Sequence, residues 1–240
     1  MLSYNVTVKE TDLYIRTSSD LRDKALKCIY KYRGQIESYI ALHPHFATSF
    51  KPVAVDANSP PIIKDMAESS EKFDVGPMAA VAGAIAQFAG EDLLEFSPEV
   101  IIENGGDIFI SSKRDRIVAI YAGNSPLSEK YGVEINAADT PMGVCTSSGT
   151  VGHSFSFGKA DAAVIIASSA TLADAAATAI GNMVTTREDI DKALDYARSS
   201  SLLKGVIIIK DDSMGVWGNI RLCEIHPKDK SSIADEASSE

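Results

Sequence analysis

Apolar and polar positions follow two different spacings along this chain, and together they predict a mixture of strands and helices. Between residues 6 and 15 apolar residues alternate with polar ones, which predicts an opening β-hairpin, because successive side chains of a strand point to opposite faces. From residue 21 to about 42 the apolar residues recur at helical spacing. Shorter helices are predicted to begin at Pro60 and Met78. The second consists almost entirely of small apolar residues, which is typical of a buried helix.

Short strands dominate the second half of the chain. Residues 100–112 predict a hairpin, because Asn104-Gly105 between two apolar runs favours a tight turn, although paired glycines also fit close approach of a ligand to the backbone. The remaining predicted strands are residues 50–55, 116–122, 131–137, 162–167, 206–210 and 216–224, with helices at 173–184 and from 186 or 189 to about 199. Because the strands cluster between residues 100 and 168 and again after 205, we expect an α+β fold with mainly antiparallel sheets.

Length and composition indicate how the chain is organised and where the protein is located. The chain has 240 residues, of which 45% are hydrophobic, and we expect residues 1–228 to form a single domain of two intertwined lobes. Residues 229–240 are polar and acidic and are expected to be a disordered tail. The sequence has no apolar run of about 18 residues and no basic segment followed by an apolar one, so we expect no membrane partner and a cytoplasmic location.

The net charge of −10 argues against binding to nucleic acid or to an anionic membrane surface, because both are themselves negative. A local site for a small anion is still compatible with this charge. The segment from residue 146 to 154 fits such a site, since glycine lets the backbone approach a ligand and the hydroxyls and backbone N–H groups can bind an anion. A plain turn cluster is the alternative interpretation of this segment. The candidate ligand-binding residues in it are Thr146, Ser147, Ser148, Gly149 and Thr150.

Asp174 and Thr178 stand four residues apart in a predicted helix and therefore lie on the same helix face. Two oxygen ligands of this kind suit Mg²⁺, which keeps several waters and often bridges to phosphate. The alternative is a helix cap, in which Thr171 is the N-cap residue and Asp174 closes a capping box. Our central hypothesis is a metal-assisted phosphate or nucleotide site at this helix.

Four motifs, taken in order, resemble the ApbE-like proteins, and most closely the branch of that superfamily labelled UPF0280. They are Gly-Pro-Met at residues 76–78, Glu-Asn-Gly-Gly-Asp at 103–107, Thr-Ser-Ser-Gly at 146–149 and Ala-Asp-Ala-Ala-Ala-Thr-Ala-Ile-Gly-Asn at 173–182. The characterised relatives are FAD:protein FMN transferases, which cleave FAD at its pyrophosphate, use Mg²⁺ and attach FMN to a Thr or Ser of an acceptor protein. The resemblance implies an ApbE-like α+β fold, with helices packed between and around two lobes and the flavin nucleotide between them.

By position, the resemblance assigns metal binding to Asp174 and Thr178. The chain departs from the transferases at residues 152–161, because their HxIxDPxTG-type segment is replaced by Gly-His-Ser-Phe-Ser-Phe-Gly-Lys-Ala-Asp. For the reaction, His153 or Asp161 is the expected base that acts on an acceptor hydroxyl. The other matched positions, beside the ligand and in the loop before this segment, are Gly105, Gly106, Asp107, Thr146, Ser147 and Gly149.

Three functions follow as alternatives. The first is a Mg²⁺-dependent protein that binds FAD or another nucleotide or phosphate ligand and resembles the transferases, with an acceptor protein as partner. The second is an accessory or binding protein that has kept the fold and lost transfer, with a role in sulfur or homocysteine metabolism. The third is a different enzyme that uses Cys145, His153 or Ser154 as nucleophile or base. The sequence leaves open whether the chain forms a homodimer.

Overall fold

Residues 1–150 and 157–225 are described in the computed structural model, and their strands form two antiparallel sheets. The strands are β1 (Leu2–Val8), β2 (Thr11–Thr17), β3 (Val100–Asn104), β4 (Asp107–Ser111), β5 (Arg116–Ala119), β6 (Tyr131–Ile135), β7 (Met142–Ser147), β8 (Ala162–Ala167), β9 (Leu203–Lys210), β10 (Ser213–Gly218) and β11 (Arg221–Glu224). The large sheet has the order β1-β2-β3-β4-β7-β8-β9-β10, and the small sheet has the order β11-β6-β5.

The helices are α1 (Arg22–Leu42), α2 (His45–Thr48), α3 (Pro61–Glu71), α4 (Val81–Leu94), α5 (Ala170–Asn182) and α6 (Ile190–Arg198). A 3₁₀ turn, Pro77–Ala80, leads into α4. Small residues let α4 pack tightly against its neighbours: a Cβ at Gly83 would lie 2.3 Å from the Ala170 carbonyl oxygen, and one at Gly90 would lie 2.1 Å from the Phe109 ring. None of the helices in the described ranges is long and apolar enough to cross a membrane.

The large sheet is buried on both faces in its middle. Side chains of β8 alternate between the two faces: Ile165 packs in the core shared with the helices, and Val164 and Ile166 pack in the core shared with the small sheet. Burial on both faces explains why β8 is a continuous apolar run. The small sheet covers β4, β7, β8 and β9, since these strands supply the members of the second core that come from the large sheet.

The predicted α+β class with mainly antiparallel sheets is confirmed, and so is the hairpin at Asn104-Gly105. Asn104 pairs with Asp107 across that turn. Gly105 and Gly106 between them have φ angles of 65° and 102°, which only glycine adopts without strain. The glycines are therefore required by the turn itself, whatever binds beside them.

Three expectations about secondary structure are wrong. Residues 50–55 form an irregular connection in which Val53 and Val55 pack against the helical core, and Pro52 has no N–H for a strand ladder. The strand predicted at 216–224 is broken at Gly218, where φ is 102°, and its two parts belong to different sheets. The N-cap of α5 is Ser169, whose hydroxyl accepts a hydrogen bond from the Leu172 N–H; Thr171 is buried inside the helix.

The predictions for His153 and Ser154, and for the tail at 229–240, lie outside the described residues. The division of residues 1–228 into two intertwined lobes stays a prediction.

Candidate functional site

A cavity of about 1150 Å³ surrounds the tip of the β3–β4 hairpin. It lies where α4, α5 and the end of β7 meet this hairpin, so it gathers parts of the chain that are distant in sequence. Most of the residues that the sequence marked as candidates line it. These are Gly105, Gly106, Asp107, Thr146, Ser147, Ser148, Asp174 and Thr178.

Asp174 is fixed in the cavity wall by the start of α4. Its Oδ2 accepts a hydrogen bond from the backbone N–H of Gly83 at 2.9 Å. Gly83 is the third residue of α4, so its N–H has no partner within the helix, and a carboxylate there also complements the helix dipole. Asp174 therefore caps α4, a helix that is distant from it in the sequence. It does not close a capping box with Thr171 at the start of its own helix, which was the alternative interpretation of the sequence.

Thr178 lies one turn further along α5 and lines the same cavity. Its hydroxyl is 3.5 Å from the carbonyl oxygen of Ala79, in the turn that precedes α4. The carboxylate of Asp174, the hydroxyl of Thr178 and the carbonyl of Ala79 are all hard oxygen donors, which are the ligands that Mg²⁺ prefers. The donor set therefore fits a magnesium ion.

Protein carboxylates alone would not supply all the ligands of a magnesium ion at this position. Among residues 1–150 and 157–225, no three His, Cys, Asp or Glu side chains form a potential metal cluster. A cation beside Asp174 would therefore take further ligands from hydroxyl, carbonyl, water or phosphate oxygens, as Mg²⁺ commonly does.

Asp107 is a second buried carboxyl at the same wall. It is the cross-strand partner of Cys145 and shares the helix-facing side of the sheet with Asn104, whose amide donates to the Ala82 carbonyl oxygen at 3.0 Å. Within the described part of the chain, its buried Oδ1 has no hydrogen-bond partner. Burial, together with the nearby charge of Asp174, raises the pKa of Asp107 well above its usual range.

Burial also raises the pKa of Asp174 to about 7, although the N–H groups of Gly83 and Ala82 work in the opposite direction. Two buried carboxyls that disfavour each other's charge are stabilised by a cation. Two of the arginines that line the cavity elsewhere have acidic partners: Arg33 pairs with Glu10 and Glu37, and Arg116 pairs with Glu99.

Cys145 does not suit the nucleophile role that the sequence left open. Its side chain is fully buried, and its Sγ lies 3.3 Å from the carbonyl oxygen of Ala170. Burial, followed by the charges of Asp107 and Asp174, raises the pKa of the thiol well above its usual range. Because the thiolate is the reactive form, these surroundings make the thiol inert.

The structure does not bring Gly149, Thr150 and Asp161 together with Asp174. Asp161 accepts hydrogen bonds from the Asp211 N–H at 2.6 Å and from the Thr150 hydroxyl at 3.1 Å, and it lines a separate cavity of about 350 Å³. Gly149 is tied by its N–H to the Ala160 carbonyl oxygen at 2.9 Å. These contacts engage the three residues, none of which is part of the lining of the main cavity.

Several groups that contact Asp174 and Thr178, or that line the cavity with them, were not apparent from the sequence. The carbonyl of Ala79 and the N–H of Gly83 are backbone groups, so residue type gives no signal for them. Glu103 belongs to a motif but was given no role, although its side chain lines the cavity.

Comparison with known proteins identifies the family of this chain. A family model described as AbpE bacteria matches residues 2–212. A UPF0280 protein of Methanococcus aeolicus is 40% identical over 226 residues, which cover 92% of this chain and 91% of that protein. The chain belongs to the UPF0280 family of ApbE-like proteins. Another UPF0280 protein, from Methanopyrus kandleri, is 40% identical over 226 residues, which cover 91% of this chain and 91% of that protein.

Solved structures share the fold of this UPF0280 protein at low identity. The ApbE protein of Thermotoga maritima matches with a TM-score of 0.53 and 13% identity, over 89% of this chain and 96% of that one. The flavinyl transferase ApbE of Pseudomonas stutzeri matches with a TM-score of 0.55 and 9% identity, over 95% of both chains. At these identities the likeness establishes an ApbE-like fold.

Proposed function

We propose that this UPF0280 protein binds a flavin or adenine nucleotide together with Mg²⁺ in the 1150 Å³ cavity. The observation that carries the proposal is that Asp174 and Thr178 line the same cavity, with the carbonyl oxygen of Ala79 3.5 Å from the Thr178 hydroxyl. Asp174 and Thr178 would hold the cation. When bound, Mg²⁺ would neutralise charge on phosphate oxygens.

The ligand's phosphates would lie over the Gly105-Gly106 turn and beside the hydroxyls at the end of β7. A Cβ at Gly105 would have no atom within 4 Å, so the space above this turn is open to a ligand. Thr146, Ser147 and Ser148 also line the cavity, and hydroxyls and backbone N–H groups can donate hydrogen bonds to phosphate. Ser148 in addition shapes the loop, because its Oγ accepts from the Thr150 N–H at 3.1 Å.

The reaction that this arrangement suits is transfer of FMN from FAD to a protein hydroxyl. A bond would form between the acceptor oxygen and the FMN phosphorus, the pyrophosphate bond to AMP would break, and the hydroxyl proton would pass to a base. Two solved structures with this fold are named flavin or flavinyl transferases, from Vibrio cholerae and Pseudomonas stutzeri. The sequence-based candidate for the base is His153, outside the described residues.

A second candidate is a nucleotide-binding protein without transfer. The position of Asp161 favours it, because that carboxylate is engaged by the Asp211 N–H and lies at the smaller cavity. Replacement of the transferases' DPxTG segment within residues 152–161 supports the same alternative.

Incubation with FAD and Mg²⁺ separates these functions. We expect Mg²⁺-dependent binding of the nucleotide in the wild type and its loss in Asp174→Asn, which keeps an oxygen acceptor for the Gly83 N–H. Release of AMP, measured by chromatography, would assign transferase-type cleavage, and tight binding without AMP would assign the binding protein. Binding that is insensitive both to EDTA and to Asp174→Asn would contradict the proposal. Glu134→Gln on β6, at a carboxylate that is not part of the cavity lining, is the matched control.

A further inference from the structure

The cavity passes the end of the large sheet at the turn between β3 and β4 and reaches both faces of the sheet. Asn104 and Asp107 belong to the face that carries the helices. Because side chains alternate along a strand, Glu103 belongs to the opposite face, where its direct neighbours across β2 and β4 are Tyr14 and Ile108. Both groups line the same cavity, which is therefore continuous past the Gly105-Gly106 turn.

The side of the cavity opposite the helices, which we call the outer compartment, has a mainly apolar lining that also includes the Glu103 carboxyl and the guanidinium groups of Arg16 and Arg116. Tyr14, Glu103 and Ile108 form one row of its floor, and Ile101 lies beside them on β3. Among the described residues, no hydrogen bond or ion pair to the Glu103 side chain is observed. Burial raises the pKa of this carboxyl, because its charged form is poorly solvated there, so a ligand that forms hydrogen bonds with the carboxyl would be favoured.

We propose that Glu103 is a specificity-determining residue that binds the edge of a heterocyclic ring carrying an N–H donor next to an acceptor atom. The inference rests on the proposed function, because the ring would belong to the nucleotide whose phosphates lie at the glycine turn. It adds a second contact region, on the other face of the sheet from the cation site.

The size and lining of the outer compartment support a planar ring. The cavity volume of about 1150 Å³ exceeds the range of about 300–1,000 Å³ that is common for small-ligand pockets, so an extended ligand fits. Tyr14, Ile117 and Tyr121 line it and are 39%, 54% and 57% exposed, which leaves aromatic and aliphatic surface for a ring to cover.

The chemistry of the carboxyl defines the ligand edge. A carboxyl accepts hydrogen bonds from ring N–H and amino groups, and in its protonated form it also donates one through its O–H. Adenine offers a matching amine and ring nitrogen, and the flavin offers a matching N–H and carbonyl. A glutamine amide presents the same pair of groups, as it does when it reads adenine.

The test is calorimetric binding of pyrophosphate, ADP and FMN, each with Mg²⁺, to the wild type and to Glu103 variants. We expect Glu103→Ala to weaken one ring-bearing ligand about tenfold or more while the affinity for pyrophosphate changes less than about twofold. Glu103→Gln should restore most of that affinity. A loss confined to ADP identifies the adenine ring, and a loss confined to FMN identifies the flavin.

Three results would overturn the inference. The first is unchanged affinity for both ring-bearing ligands in Glu103→Ala, and the second is an equal loss for pyrophosphate. The third is a wild type that binds ADP and FMN no more tightly than pyrophosphate, which would leave the proposed function standing. A wild type that binds none of the three with Mg²⁺ would instead overturn the proposed function. Glu134→Gln, with a melting curve for every variant, controls for loss of charge and of fold.

Discussion

Asp174 and Gly83 lie 91 positions apart in the chain, and the carboxylate of the first accepts a hydrogen bond from the N–H of the second at 2.9 Å. This contact joins α5 to the first turn of α4 at the wall of the large cavity. One side chain therefore has a structural role and a proposed binding role. Substitutions at Asp174 must separate the two, and the size and polarity of asparagine allow this.

The capping contribution of Asp174 can be measured by comparing two variants. Asp174→Asn keeps an oxygen acceptor for the Gly83 N–H, and Asp174→Ala leaves this N–H without its partner. At pH 8 we expect the alanine variant to be less stable than the asparagine variant by about 1–2 kcal/mol. Urea unfolding at equilibrium checks this value, and equal stability of the two variants would show that the hydrogen bond contributes little.

Stability should also depend on pH through the buried carboxyls. A carboxyl whose folded-state pKa is raised stabilises the fold below its unfolded pKa, about 4, and this contribution is lost as pH rises through the folded-state pKa. The pKa of Asp174 is raised to about 7 and that of Asp107 is raised well above its usual range. We therefore expect the melting temperature of the wild type to fall between pH 4 and pH 8.

The same melting series on Asp174→Asn isolates the contribution of one group. Its decline over this pH range should be shallower than that of the wild type, because the amide does not titrate. Parallel curves for the wild type and Asp174→Asn would mean that the carboxyl is not destabilised by burial in the folded protein.

Close packing of α4 on α5 predicts opposite effects for two Gly→Ala changes. A Cβ at Gly83 would lie 2.3 Å from the Ala170 carbonyl oxygen and 2.8 Å from the Asp174 Cβ, so the helices must separate. We expect Gly83→Ala to cost about 1–3 kcal/mol. Gly34 in α1 has no atom within 4 Å of such a Cβ, and Gly34→Ala should stabilise by about 0.5–1 kcal/mol. Denaturant midpoints give both values, and a stabilising Gly83→Ala would contradict the packing.

Local signals predicted much of the fold. Asn104-Gly105 marked a hairpin because its turn geometry depends on adjacent residues, and the small-residue run in α4 marked a buried helix. Features that depend on contacts between residues distant in the sequence were harder to predict. The break at Gly218 depends on β10 and β11 joining different sheets. Ser169 and Thr171 both suit an N-cap, and only the packing of α5, which buries Thr171, decides between them.

In the candidate site, too, local sequence spacing predicted some features, and contacts between distant residues determined the others. Helical spacing alone placed Asp174 and Thr178 on one face, and both line the cavity. The association of Asp161 with Thr150 and Asp211 could not be predicted, because it depends on contacts between residues distant in sequence and on how β8 pairs with β9. The cavity's second face likewise depends on the register of β2, β3 and β4, which places Glu103 beside Tyr14.

Magnesium should stabilise the folded protein through Asp174 and Thr178, independently of any catalytic activity. A ligand that binds only the folded state raises the melting temperature, and a cation next to two buried carboxyls offsets their repulsion. At pH 8 we expect millimolar Mg²⁺ to raise the melting temperature of the wild type but not that of Asp174→Asn. Thr178→Val, which preserves shape but removes the hydroxyl, should reduce the shift, and Thr178→Ser should retain it. An equal shift in the wild type and in Asp174→Asn would place the cation elsewhere, because the asparagine variant keeps the helix contact and lacks only the charge.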